Sequence, residues 1–326
     1  MKLLIFGVFV GSAVAQQDLQ QQIHSIAADA RGKVSVACSW PGTPLNCDLN
    51  DDAHPPMQSV FKLPLGLTML HQVEQGKFTL DQSIPFQKSD LILPKPYSPL
   101  QDKYPQAGVD VPLREMLKMT VSLSDNTAAD ILLRLAGGPK VVGDYIASLG
   151  VTGFELQDDE RALHRDHALQ YRNWFEAQGA VQLLRTIADH SPLAAEHSAL
   201  LLEWMSASSG HLGADLPSGT KVAHKTGNSD VDNGVAAATN DIGLITLPNG
   251  RQLAIAVFVT DSTANEATRY KVIARISRAV YDYVAQHLMT SPPRVAAQTA
   301  IPLVLGMDHI PVVVTDLEKA ANTPSR

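Results

Sequence analysis

The chain has 326 residues, of which 45% are apolar and 18% charged, a balance typical of a globular protein with a substantial core. This composition excludes an intrinsically disordered protein, and the length predicts about two domains or one large two-part fold. Acidic residues outnumber basic ones by 33 to 26, which gives a net charge of −7 and argues against nucleic acid as a partner. The two cysteines are too few for a disulfide-rich scaffold.

The first fifteen residues are predicted to be a signal peptide that is cleaved after Ala15. Lys2 supplies a positive start, residues 3–10 form an apolar run, and residues 13–15 are small residues typical of a cleavage site. The apolar run is far too short to span a bilayer, so we expect no membrane anchor. The mature protein should therefore be periplasmic or secreted.

The next feature is a pair of cysteines around a predicted turn. Residues 33–38 are typical of a β-strand, and residues 41–44 are typical of the turn that ends it. A hairpin folded about Gly42 and Thr43 places Cys38 opposite Cys47. In an oxidising compartment this pairing predicts a disulfide, with two buried free thiols as the alternative.

The rest of the chain divides into a helical region and a strand-rich region. Between about residues 59 and 205, apolar residues recur at helical spacing, namely Met116, Leu117, Ile131, Leu132, Leu135, Leu183, Leu184, Ile187, Leu201 and Leu202. Strands are predicted at 220–226, 235–247 and 252–260, with Asn249-Gly250 as the hairpin turn between the last two, and a long amphipathic helix at 264–288.

These elements predict an α/β (α+β) fold built from two lobes. An antiparallel sheet flanked by N- and C-terminal helices would use residues 16–58 and 207–290, and an all-helical lobe would use residues 59–206. A cleft between the lobes is the expected place for a site. Residues 291–326 are expected to form a flexible tail, to which we assign no function.

The first chemical motif is Ser59-x-x-Lys62, directly before an apolar helical stretch. If Ser59 opens that helix, Lys62 lies one turn later on the same face, where an amine can activate the serine hydroxyl. The helix N-terminus also presents N–H groups to an oxyanion. The motif alone is common, and an ordinary helix start is the alternative interpretation.

Two rarer tripeptides follow in order, Ser124-Asp125-Asn126 and Lys225-Thr226-Gly227. Together with Ser-x-x-Lys they form the signature of class A β-lactamases and penicillin-binding proteins, so the chain resembles a penicillin-recognising serine enzyme. Its predicted fold is then that of the β-lactamase/transpeptidase family.

A fourth element distinguishes these two classes. The stretches Asp158–Asp166 and Gln170–Trp174 resemble the omega loop (about residues 152–174) of class A β-lactamases, in particular the extended-spectrum subgroup typified by the PER and VEB enzymes. Gln58-Ser-Val-Phe-Lys and Ala223-His-Lys-Thr-Gly resemble the same subgroup. The resemblance covers about residues 20–288.

The resemblance implies a set of catalytic roles. Ser59 would be the acylated nucleophile and Lys62 its proton partner, Ser124 would pass a proton to the leaving nitrogen, and Lys225 would keep the local field positive. Glu160 would activate the water that hydrolyses the acyl-enzyme.

The resemblance also implies a set of substrate-binding residues. These are Asn126 for the side-chain amide, the N–H groups of Ser59 and Asn228 for the oxyanion, His164 for the deacylating water, Thr226 and Gly227 on the cleft edge, and Tyr97 at the cleft mouth. An arginine that often binds the substrate carboxylate is missing at Gly234, so His211 is predicted to be a pH-dependent substitute. An ordinary packed tyrosine and an exposed loop histidine are the alternatives for Tyr97 and His211.

The expected activity is hydrolysis of penicillins and cephalosporins by a monomeric class A serine β-lactamase with no metal and no organic cofactor. The alternatives are a penicillin-binding DD-peptidase and a β-lactam-binding sensor, both of which deacylate slowly. A serine glutaminase shares Ser-x-x-Lys but has no need of Lys-Thr-Gly.

Overall fold

The structure is a computed structural model that describes residues 6–42 and 45–290, with side chains described for 17–42, 45–166 and 168–286. The described residues as far as Ala285 belong to one compact unit. The second unit, residues 286–326, is described only as far as Thr290, so the predicted tail lies outside the described residues. No helix in the described part of the chain is long and apolar enough to cross a membrane.

Helices and strands alternate along the described chain. The α-helices are α1 (Phe6–Ala28), α2 (Lys62–Glu74), α3 (Pro99–Lys103), α4 (Leu113–Ser122), α5 (Asn126–Ala136), α6 (Pro139–Ser148), α7 (Glu160–Arg165), α8 (Ala177–Asp189), α9 (Ala195–Ser206) and α10 (Glu266–Thr290). The strands are β1 (Lys33–Ser39), β2 (Ser83–Phe86), β3 (Val109–Pro112), β4 (Phe154–Glu155), β5 (Trp174–Phe175), β6 (Val222–Asn228), β7 (Val231–Asp232), β8 (Val235–Thr246) and β9 (Gln252–Ser262). The predicted cleavage point after Ala15 lies within α1.

The main sheet of the described residues is antiparallel, with the strand order β1-β9-β8-β6 and β7 paired to β8. The predicted antiparallel sheet is confirmed, although β6 begins two residues later than predicted. The predicted hairpin between β8 and β9 is also confirmed: the Leu247 N–H donates to the Arg251 carbonyl at 2.9 Å, and Gly250 takes φ +80°. That backbone region favours glycine, which explains the residue at the turn.

The predicted disulfide is confirmed, and it links Cys38 to Cys47 with a Cα–Cα distance of 6.0 Å. Val36 and Leu49 exchange backbone hydrogen bonds of 2.8 and 3.0 Å, and this register places the two cysteines opposite each other. The chain after the turn makes an isolated bridge with β1 rather than a strand in residues 45–50.

The core follows the predicted helical faces. Ile273, Ile276, Val280 and Val284 of α10 are fully buried, as the amphipathic pattern predicts. Helix α8 packs against β1 and β9. The pairs β2–β3 and β4–β5 inside the helical region were not predicted, because strands of two to four residues are too short to show a period. The lobe boundaries near residues 58 and 206 stay a prediction.

Candidate active site

Ser59 lies in a 3₁₀-helix, residues 58–61, that runs directly into α2. Gln58 has φ +47°, a sparsely populated conformation that recurs at functional sites. Strand β6 passes so close that a Cβ on Gly227 would collide with the Met57 carbonyl and lie 3.1 Å from the Ser59 nitrogen. Only glycine at position 227 therefore lets the strand edge and the Ser59 N–H group meet.

Lys62 is fully buried beneath Ser59. Its Nζ donates hydrogen bonds to Ser59 Oγ at 2.9 Å, the Ser124 carbonyl at 2.8 Å and Asn126 Oδ1 at 2.5 Å. Glu160 Oε1 lies 2.8 Å from the same nitrogen. An ammonium group has three N–H donors, so the fourth oxygen, that of Glu160, is held as an ion pair rather than by an aligned hydrogen bond.

Ser124 connects this lysine to a second one. Its backbone has φ +59°, and its Oγ accepts a hydrogen bond of 2.9 Å from Lys225 Nζ. Lys225 also donates to the Thr226 carbonyl at 2.9 Å. Burial, followed by the charge of Lys62, lowers the pKa of Lys225 to about 7. The site thus holds a lysine that changes charge near neutral pH.

Asp125 fixes Ser124 and Asn126 on either side of it. Its buried carboxylate caps α5 by accepting from the Ala128 N–H at 2.8 Å, and it also accepts from the Leu100 N–H at 2.6 Å. Burial raises the pKa of Asp125 although these hydrogen bonds lower it. The middle residue of the tripeptide is therefore a structural anchor for the two functional ones.

Glu160 begins α7, inside a loop whose two ends are joined by the pairing of β4 with β5. Asp130 on α5 holds this helix start, because its two carboxylate oxygens accept the N–H groups of Glu160 at 2.8 Å and Arg161 at 3.0 Å. Burial, followed by the charges of Asp159 and Glu160, raises the pKa of Asp130 to about 8.

The base of this omega loop is held by Asn173. Its Oδ1 accepts from the Gln157 N–H at 2.8 Å and the Asp158 N–H at 3.0 Å, and its Nδ2 donates to the Asp158 carbonyl at 2.8 Å. Arg172 adds an ion pair to Asp158 at 3.3 Å. The amide network of Asn173 and the ion pair of Arg172 therefore hold together the two ends of the omega loop.

These groups converge on one cleft of about 780 Å³. Nine of the residues singled out in the sequence line it: Ser59, Tyr97, Ser124, Asn126, Glu160, His164, Thr226, Gly227 and Asn228. Lys62 and Lys225 lie buried next to Ser59 and Ser124, so the structure brings eleven of the predicted residues together.

Comparisons with known proteins identify this arrangement. The model of the β-lactamase enzyme family matches residues 18–284. The chain belongs to the β-lactamase enzyme family.

Two curated relatives from Pseudomonas aeruginosa are similar over most of this chain. The extended-spectrum β-lactamase PER-1 is 37% identical over 84% of this chain and 90% of its own, and β-lactamase VEB-1 is 34% identical over 86% and 95%. A solved β-lactamase structure from Chitinophaga pinensis is 43% identical, with a TM-score of 0.79 over 82% of this chain and 99% of its own. Other matching structures are class A β-lactamases, which confirms the predicted fold class. The similarity to PER-1 and VEB-1 confirms the predicted resemblance to their subgroup.

One predicted residue of this β-lactamase lies apart from the cleft. His211 is not among the described residues that line the cleft. Its ring stacks on the ring of Tyr270, with 3.6 Å between the ring centroids. Burial lowers the pKa of His211, against the raising effect of Asp241. Gly234, the other position considered for the carboxylate, lies between β7 and β8 with φ +81°. The carboxylate-binding role of His211 stays a prediction.

Tyr97 lies at the cleft mouth with 63% of its surface exposed, and its carbonyl accepts the Asn126 N–H at 3.2 Å. Sequence reasoning missed Asp130, although it lies four residues after Asn126 and so on the same face of α5. It also missed the hydrogen bond of 2.6 Å between Gln58 and Gln170, which joins the nucleophile's helix to the omega loop. Contacts this far apart along the chain leave no local pattern.

Proposed function

We propose that this chain hydrolyses the β-lactam amide of penicillins and cephalosporins through an acyl-enzyme on Ser59. Its family membership makes β-lactam hydrolysis the reaction class. The observation that carries the residue assignments is the position of Lys62 Nζ, 2.9 Å from Ser59 Oγ and 2.8 Å from Glu160 Oε1. One buried amine thus connects a nucleophile with a carboxylate base.

In the proposed acylation step, Lys62 gives a proton to Glu160 and its neutral amine takes the proton of Ser59. Ser59 Oγ bonds to the β-lactam carbonyl carbon, and the N–H groups of Ser59 and Asn228 bind the oxyanion. The carbon–nitrogen bond then breaks, and the nitrogen receives a proton from Ser124 Oγ. Lys225 Nζ, 2.9 Å from that oxygen, restores it.

Between the two steps Glu160 releases to solvent the proton that it took from Lys62, and Lys225 regains one from solvent, so that both groups return to their starting charge. In the proposed deacylation step, the Glu160 carboxylate then removes a proton from a water molecule that attacks the ester carbon. The ester carbon–oxygen bond breaks, and the proton returns to Ser59 Oγ. His164, four residues after Glu160 on α7, lines the same cleft and would help to orient that water. Asn126 would bind the side-chain amide of the substrate while it also holds Lys62.

Replacing Glu160 with glutamine tests whether this residue is the base that hydrolyses the acyl-enzyme. Glu160→Gln keeps the size of the side chain but removes the base, which lowers the deacylation rate by about 10²–10⁴. Acylation should slow less, because Lys62 can still take the Ser59 proton once it has lost its own to solvent instead of to Glu160. We therefore expect the variant, mixed with benzylpenicillin, to accumulate a covalent adduct on Ser59 in intact-protein mass spectra. Wild type should return to its free mass over the same time.

Glu155→Gln is the matched control, because Glu155 lies in β4 at the base of the same loop and outside the cleft lining. It should turn over like wild type. Wild-type speed in Glu160→Gln would remove Glu160 from the mechanism. A stable adduct on wild type itself would favour a slowly deacylating penicillin-binding protein or sensor.

We also propose that the chain is exported as a monomer and processed after Ala15. The supporting features are Lys2, the apolar run at 3–10 and the small residues at 13–15, together with a disulfide of the kind that persists in oxidising compartments. Protein from the periplasm of an expressing bacterium should have the mass of a chain that begins at Gln16. Recovery of only the uncleaved chain, in the cytoplasm, would contradict this.

A further inference from the structure

A buried histidine–carboxylate pair lies next to the cleft but outside the proposed proton pathway. His224 on β6 is 6% exposed and Asp241 on β8 is fully buried. His224 Nδ1 lies 2.9 Å from Asp241 Oδ1, and its Nε2 lies 3.2 Å from the Ser208 carbonyl oxygen. Both ring nitrogens of His224 therefore face atoms that can only accept hydrogen bonds.

That arrangement determines the charge of the ring. A neutral imidazole carries one N–H, whereas an imidazolium carries two and satisfies both acceptors. The charged or titratable groups that face His224 are Asp241 on the neighbouring strand β8, the next residue Lys225, and His211 on the loop after α9. Burial lowers the pKa of His224, but the charge and hydrogen bond of Asp241 outweigh it, so the pKa is raised overall.

The same pair holds the loop that follows α9. Asp241 Oδ2 accepts the N–H groups of His211 at 2.7 Å and Leu212 at 3.0 Å. Gly210 passes directly over the pair, and a Cβ at that position would collide with the His224 ring and lie 2.6 Å from Asp241 Oδ2. The loop is thus tied to the pair by two N–H groups, one carbonyl and a glycine that allows the close approach.

This loop begins with residues that line the cleft. Ala207, Ser208 and Ser209 form part of the cleft wall together with Ser124 and Thr226. In the proposed mechanism Ser124 protonates the leaving β-lactam nitrogen. The second ring of a penicillin or cephalosporin shares that nitrogen with the β-lactam ring, so this fused ring must lie on the side of the cleft where Ser124 is. The wall at 207–209 is therefore placed to contact the fused ring rather than the acylamide side chain.

We propose that His224 is a positioning residue, which with Asp241 holds the Ser208 carbonyl and so sets the wall against the fused ring of the substrate. The proposal rests on the proposed function, because the orientation of the substrate follows from Ser124. It predicts that the pair controls KM and the preference between penicillin and cephalosporin rings, while the rate of acyl-enzyme hydrolysis at Glu160 is unaffected.

The test compares two substitutions at position 224. In His224→Asn the shorter amide can reach Asp241 but not Ser208, so KM should rise by about tenfold, within the range for a misplaced binding group. In His224→Gln the longer amide can still donate to the Ser208 carbonyl, so KM should recover to within about threefold of the wild-type value. This rise in KM is smaller than the one expected when a hydrogen bond is lost. The substrates are a penicillin and a cephalosporin with the same side chain, and their KM ratio should change in His224→Asn.

His197→Asn is the matched control. His197 lies 2.8 Å from Glu74 Oε1 in another histidine–carboxylate pair, and it is outside the cleft lining of the described residues. Its KM values should equal those of wild type. Unchanged KM values and an unchanged KM ratio in His224→Asn would overturn the proposal, whereas a wild-type protein that hydrolyses no β-lactam would overturn the proposed function instead.

A second measurement uses the wild-type protein and does not depend on how the variants fold. In ¹⁵N-histidine spectra, one imidazole should keep both protons at pH values where the exposed histidines have lost one. Its two nitrogens should then give the similar shifts of an imidazolium. A His224 ring with no proton on Nε2, the nitrogen that faces the Ser208 carbonyl, would contradict the hydrogen bond to Ser208 and with it the proposal.

Discussion

Lys225 is the residue whose charge most directly links pH to activity. Burial and Lys62 lower its pKa to about 7, so its ammonium loses a proton as pH rises through neutrality. We expect kcat/KM, which reports the free enzyme, to fall above about pH 7 as the positive field at Ser124 disappears. In Lys225→Arg the guanidinium stays charged throughout this range, so the alkaline decline should move to higher pH.

The control for this prediction is Lys221→Arg, a change of the same kind at an exposed position just before β6. It should reproduce the wild-type profile of kcat/KM between pH 6 and 9. An alkaline decline at the same pH in wild type and Lys225→Arg would assign that decline to another group.

At the scale of elements, the attachment of the omega loop to α5 depends on Asp130. Its pKa is raised from 3.8 to about 8, so between these values the folded chain holds a proton that the unfolded chain has released. Folding stability should therefore fall as pH rises through this window. The side chain of Asp130→Asn cannot titrate. Its NH₂ group takes the place of one carboxylate oxygen and therefore faces the N–H group of Glu160 or Arg161 without accepting from it.

We expect Asp130→Asn to be less stable than wild type at pH 5 by about 1–3 kcal/mol, the cost of one unsatisfied polar group that is shielded from water. The deficit should shrink towards pH 8, because only wild type loses stability over that range, by up to about 1.4 kcal/mol per pH unit. Urea unfolding at pH 5 and pH 8 measures both values. Asp144→Asn, at an exposed ion pair on α6, should show no such trend, and a pH-independent deficit in Asp130→Asn would contradict the raised pKa.

The elements also show which features the sequence could predict. Ser59 and Lys62 lie one helical turn apart, and Lys225 to Gly227 are consecutive on one strand, so their arrangement follows from local geometry. The sheet and its hairpin follow from alternation and from Asn249-Gly250. The site as a whole is predictable only because three short motifs and a stretch that resembles an omega loop occur in a familiar order.

What could not be predicted depends on distant parts of the chain. Asp130 meets Glu160 thirty residues later, and His224 meets Asp241 only because β6 and β8 pair in that register. Neither pair shows a periodic or compositional signal. The position of His211, stacked on Tyr270 and not on the cleft wall, likewise depends on how α10 packs beside the loop.

For the whole molecule, we expect removal of the disulfide to change stability but not catalysis. Strand β1 is at the opposite edge of the main sheet from β6, with β9 and β8 between them, so Cys38 and Cys47 lie far from the cleft edge in the order of strands. Closing a loop of about ten residues contributes about 2–3 kcal/mol. Removing the bond should therefore lower Tm without changing the chemistry.

We expect Cys38→Ser/Cys47→Ser to have a Tm lower than wild type by roughly 3–5 °C, given the usual relation between free energy and Tm at this size. Its kcat/KM at 25 °C should stay within about twofold of wild type, because no strand of the site is cross-linked by the bond. Thermal unfolding with and without a reductant supplies the control: the reductant should lower Tm in wild type and leave the double variant unchanged. A reductant that shifts neither protein would show that the bond adds no stability, and a large fall in kcat/KM would show that the far edge of the sheet is coupled to the cleft.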